Sequence, residues 1–230
     1  MAFPLTHLLV AKRIITLIPM SDLAASQFIL GSIAPDGVHH RKAFTGENAL
    51  MSHIGPAKKI THLCPISDEK WGQVTDNDGW IKLVQAFHAK YKDDPLYVGY
   101  AVHVLTDIYN NLTVWANYIA NYPDEAAKGY KSVYYEDLRN IDNRLYHELA
   151  KDSGIFEYLR KGVPKEIYDT ASIEIASAEE ILTIQKNLLC EQYKNPMPVD
   201  ITEYHILHYT DILKSIDDAA QFCIEYLGLN

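Results

Sequence analysis

The sequence predicts an all-α protein, and three observations lead there. Apolar residues recur at helical spacing along most of the chain, prolines and cap residues interrupt that spacing at intervals, and strand alternation and hairpin turns are nearly absent. Leu8, Leu9, Ala11, Ile14, Ile15 and Ile18 define a first amphipathic helix ended by Pro19. Ser21 or Asp22 caps a second, DLAASQFILGSIA, which stops at Pro35. Residues 36–66 break the pattern: they show no steady period and hold three glycines, two prolines and four of the ten histidines. Long irregular segments in compact domains are usually functional or disordered, and the histidines favour function. A third helix over 78–91, capped at Asp78, precedes a central helix from about Pro95 to Tyr118. Further helices are expected over 130–151, 153–161, 165–193 and 202–227, with Asn195, Pro196 and Pro198 interrupting the chain before the last. No repeat, low-complexity tract or linker is visible, so residues 1–230 read as a single helical domain.

A chain of 230 residues can bury one sizeable core. Its net charge of −9 repels polyanions, which argues against capture of long nucleic acid or of an anionic membrane surface. A small anionic substrate stays compatible with that charge, because a local cation cluster overrides the global sign. The three cysteines are widely spaced with no C-x-x-C, as expected of thiols in a reducing compartment. The N-terminal stretch lacks a basic n-region, and His7, Lys12 and Arg13 break its apolar run. With no run of ~18 apolar residues either, a soluble, cytoplasmic protein without a transmembrane segment is expected.

Within the apolar central helix, DPLYVGYAVHVLTDIYNN, His103 and Asp107 stand four residues apart and so leave the same face. A buried carboxylate needs a partner. Imidazole and carboxylate at this spacing can reach one metal ion, although a lone H-x-x-x-D is more often a structural hydrogen bond. Three other residues strengthen the metal reading. Asp36 sits in the APDG turn, His62 in the apolar ITHLC run, and His7 in LTHLL on the first turn of the first helix. Each alone has a bland explanation as turn chemistry or a core histidine. Together they bring one carboxylate and two imidazoles toward the His–Asp pair, and Asp, His, His and Asp around a divalent ion make a zinc-like shell of mixed N and O donors that cancels the ion's charge.

The segments THLLVAKRI, FILGSIAPD, ITHL and GYAVHVLTDI, in this order and spacing, resemble the zinc-dependent phospholipase C family over roughly residues 1–120. More closely, the pattern is similar to small, leaderless bacterial members of that family. The resemblance implies an all-α fold and hydrolysis of phosphodiesters at a zinc cluster, as in the fold-related single-strand nucleases. It implies a four-ligand site of Asp36, His62, His103 and Asp107, with His7 at an adjacent site and Asp107 bridging the two. Thr113 stands where the secreted enzymes carry a further histidine. Their downstream H-x-x-x-E is also missing, since His147 is followed directly by Glu148. Two zinc ions are therefore expected, or one, with other divalent metals admissible.

Asp36 is expected as a ligand or as general base toward the attacking water. The cationic run His39, His40, Arg41 and Lys42 follows it directly. Arg41 can grip two phosphate oxygens and His39 can assist, although a solvated surface turn is the plain alternative. His205 and His208 read as partly exposed helical histidines; HELAK at 147 lacks the second histidine of a zincin; His53 and His88 carry no distinctive context. The resulting expectation is a metal-dependent phosphoester hydrolase acting on a small substrate. Its rivals are a metal-stabilised, non-catalytic binding protein and a nuclease acting on short oligonucleotides.

Overall fold

The computed structural model describes residues 3–55, 76–170, 173–199 and 204–230. It is predominantly helical, as the periodicity predicts. Helix α1 spans Pro4–Leu17 with proline in its first turn, where a missing N–H costs nothing. Helix α2, Asp22–Gly31, starts at Ser21, whose hydroxyl accepts from Ala24 N at 3.3 Å. The histidine-bearing stretch that follows is not wholly irregular. It forms a 3₁₀ turn, Ala34–His40, and then helix α3, Gly46–Ser52, opened by a Thr45–Asn48 capping box. Helix α4, Asn77–Tyr91, is capped by Asp76 rather than Asp78: the Asp76 carboxylate accepts from Gly79 N at 2.8 Å.

Helix α5, Pro95–Asn110, is the axis of the molecule. Asp94 caps it, Pro95 pre-sets its first turn, and it packs against α1, α2, α4 and α11. It runs on through a π turn, Asn111–Trp115, into α6, Ala116–Asn121. The short α7, Pro123–Ala126, leads to α8, Val133–Leu145, and α9, Ile155–Lys161. The helix expected over 165–193 is corrected at its start. Residues Ile167–Thr170 and Ile173–Ala176 are antiparallel strands β1 and β2, and the helix α10 spans only Ala178–Asn187. Isoleucine and tyrosine at 167, 168, 173 and 175 suit a pleated, half-buried surface, and Ile167, Ile175 and Ala176 turn into the core. Ser177 and Glu180 then close a capping box.

The last helix, α11, is Tyr209–Leu227, so His205 and His208 lie before it and not on it. Asp137 explains the late start. Its carboxylate accepts from the backbone N–H groups of His205, Ile206 and Leu207 at 3.0, 2.6 and 3.0 Å, a long-range alternative to the helical ladder. No described helix is long and apolar enough to cross a membrane.

Two helices approach more closely at one point than ordinary side chains permit. A Cβ on Gly31 would lie 2.1 Å from Leu96 O, and one on Gly99 would lie 2.0 Å from Phe28 O. Both obstacles are backbone. This contact seats the end of α2, and the 3₁₀ turn after it, beside the His103 face of α5.

A second buried acid lies away from that face. The Tyr193 hydroxyl donates to Asp142 at 2.7 Å, yet burial pushes the Asp142 carboxyl up to about 6. The unfolded chain therefore ionises first as pH rises above about 4. Stability falls across that window and levels off above about 6. Asp142→Asn should stabilise the protein at pH 7 by on the order of 2 kcal/mol, with the gain vanishing near pH 4. Urea denaturation at the two pH values checks this.

Candidate metal centre

Among the described residues, five buried side chains converge where α1, the 3₁₀ turn, α3 and α5 meet. His7 comes from α1, Asp36 from the 3₁₀ turn, His53 from the C-cap of α3, and His103 and Asp107 from α5. Four of these are residues the sequence singled out. His53 is the one it passed over. His62 lies outside the described residues.

The hydrogen bonds determine which nitrogens face the site. A ring nitrogen beside a carbonyl oxygen must carry the proton. His103 Nδ1 therefore donates to Ser32 O at 2.7 Å, and His53 Nδ1 to Ala49 O at 2.8 Å. With those protons committed, each ring presents a lone pair at Nε2, and the two Nε2 atoms stand 3.2 Å apart. Facing lone pairs repel unless a cation lies between them. Carboxylate oxygens surround the same point. His53 Nε2 is 3.5 Å from Asp36 Oδ1 and 3.5 Å from Asp107 Oδ2, and His103 Nε2 is 3.8 and 3.6 Å from the same two oxygens. Zinc–ligand bonds of about 2.0–2.1 Å at a tetrahedral angle put neighbouring donors roughly 3.3 Å apart. The residues present fit a metal ion.

A second group overlaps the first. His7, His103 and Asp107 also bring donors within 4.8 Å of one another. The His7 ring stacks on His103 with centroids 3.7 Å apart, and its Nε2 lies 3.5 Å from Asp107 Oδ1. Both His7 nitrogens are buried without a hydrogen-bond partner among the described residues. His103 has one nitrogen to give, so it can serve one ion. Among the described residues the arrangement is thus unequal: a first position with Asp36, His53, His103 and Asp107 Oδ2, and a second with His7 and Asp107 Oδ1.

Charge states match a ligand set. Burial pushes both carboxyls up, but His103, His39 and His53 bring Asp36 well below the usual range, and His7 and His103 bring Asp107 below it. Burial drives His7 down and His103 to about 3. At neutral pH Asp36 and Asp107 are therefore ionised and His7 and His103 neutral, the forms that bind metal.

The backbone at His53 is held under strain. Ile54, a β-branched residue, has φ 52°. Trp80 Nε1 donates to His53 O at 2.9 Å, and the Tyr100 hydroxyl donates to Ser52 O. These bonds fix the turn that aims His53 inward.

His39 and Arg41 stand at the outer edge. His39 is 31% exposed, with Nε2 3.5 Å from Asp36 Oδ1, and interaction with Asp36 raises it against the effect of burial. The Arg41 fork, expected to receive phosphate oxygens, is engaged by a protein carboxylate: Nε meets Glu180 Oε1 at 2.5 Å and Nη2 meets Oε2 at 3.0 Å. Comparison with known proteins supplies no template for this site, since no family model, curated protein or solved structure matches the chain.

Proposed function

We propose that the protein is a metal-dependent phosphoester hydrolase of the zinc-dependent phospholipase C type, acting on a small phosphate ester. One observation carries the reading: Asp107 turns one carboxylate oxygen toward each of two donor groups. A carboxylate so placed suits a pair of ions at the roughly 3.5–4 Å spacing of two-metal hydrolases. Divalent ions bound there would supply Lewis acidity and activate water at neutral pH. Asp36 and Asp107 provide the negative charge that holds them. Asp36 Oδ1 lies among three imidazoles, which favours the ligand role over that of a general base. His39, partly exposed with its Nε2 turned toward Asp36, would face the substrate from the outer edge. The resemblance over residues 1–120 supports the same class.

Full burial of His7, His53 and His103 favours a second reading, a metal-stabilised protein without turnover. Catalytic sites keep an open position, whereas structural ones are closed. Metal analysis joined to a panel of phosphate mono- and diesters, with and without chelator, separates the two. Chelator-sensitive cleavage of at least one ester is expected. Bound metal with no cleavage of any ester would favour the structural reading. The unequal donor sets further predict two classes of zinc in a titration, with His7→Ala losing the weaker class and keeping the tighter one.

A further inference from the structure

Resting on the metal-centre reading, we infer that Glu180 and Arg41 are positioning residues, which together lock the 3₁₀ turn carrying Asp36 and His39 onto the start of α10. Three observations support this. The Arg41–Glu180 pair is two-pronged and joins residues 139 apart in sequence, linking the residue that ends the 3₁₀ turn to the first turn of α10. Glu180 is itself held, because Ser177 N donates to its Oε2 at 3.0 Å in the capping box. Gly37, next to Asp36, lies flat on the same helix end: a Cβ there would be 2.8 Å from Glu180 O and 2.9 Å from Glu180 C. A carboxylate ligand on a seven-residue 3₁₀ segment, whose hydrogen-bond geometry is poorer than that of an α-helix, has little rigidity of its own. Packed at Gly37 and pinned at Arg41, the segment that follows Asp36 gains the rigidity that a ligand set needs.

The site also gives Arg41 a role different from phosphate capture. Its fork is spent on a carboxylate that is only 12% exposed, while Arg41 itself is 33% exposed. Glutamine at 180 retains a capping-box acceptor but loses the charge, so Glu180→Gln cuts the pair while sparing the helix start.

The test is zinc affinity by competition with a chromophoric chelator, alongside melting of the metal-stripped proteins. Glu180→Gln and Arg41→Ala should each weaken zinc binding about tenfold, the range for residues that orient ligands. The double variant should be no weaker than either single one, and Gly37→Ala should lose more. Melting of stripped Glu180→Gln should match stripped wild type, which separates positioning from general destabilisation. Wild-type zinc affinity in Glu180→Gln would overturn the inference. So would tighter binding of inorganic phosphate by zinc-loaded Glu180→Gln together with weaker binding by Arg41→Ala, since Glu180 would then be masking a phosphate-binding arginine. A wild type that binds no zinc would instead remove the metal centre itself.

Discussion

Asp107→Asn is expected to weaken zinc binding at both positions and to reduce the stabilisation that metal gives the wild type. The substitution keeps the shape of the side chain and removes the charge shared between the two donor groups. What remains is three donors, Asp36, His53 and His103, at the first position and His7 alone at the second, so the first is weakened and the second loses its carboxylate. A ligand present at a thousand times its Kd stabilises the folded state by about 4 kcal/mol. In a chain of this length that corresponds to roughly 10 °C in melting temperature. Chelator should lower the wild-type melting temperature by that order and move Asp107→Asn much less. Equal sensitivity of the two proteins would mean that Asp107 is not a ligand.

The second large effect is one of sign. Gly99 lies inside α5, where alanine ordinarily stabilises a helix by about 1 kcal/mol. Here a Cβ would meet Phe28 O at 2.0 Å and Gly31 Cα at 3.1 Å. Because both obstacles are backbone, α2 and α5 must separate to admit it, and forced overpacking costs about 1–3 kcal/mol or more. Gly99→Ala should therefore destabilise the metal-free protein by about 2 kcal/mol net in urea denaturation. It should also weaken metal binding, because α2 leads directly to the Ser32 carbonyl that orients His103. A stabilised variant would show that the helices are not in backbone contact.

How much of this was legible in the sequence depended on whether the signal was local. The helices of the first half follow from apolar spacing and caps, and His103 with Asp107 follows from the helical repeat itself. His53 was not legible. It stands in MSHIG, at the end of a seven-residue helix, and faces inward only because Trp80 and Tyr100 hold the turn that follows. Those partners lie 27 and 48 residues away from the groups they bind, so no local pattern announces them. The Thr45–Asn48 capping box was the readable hint that a helix interrupts the loop. Arg41 shows the opposite case. Its position next to Asp36 was plain, but its partner, Glu180, belongs to a helix far along the chain. The strands at 167–176 escaped for a different reason. Four-residue strands leave too short an alternation to stand out against helical periodicity on both sides.

The most direct test of the metal centre is anomalous scattering at the zinc edge from crystals of the protein purified with zinc. A peak is expected within about 2.0–2.2 Å of His53 Nε2, His103 Nε2 and oxygens of Asp36 and Asp107. A second, weaker peak is expected beside His7 and the other Asp107 oxygen. An absence of any peak among these five residues, with zinc present in the crystal, would contradict the account.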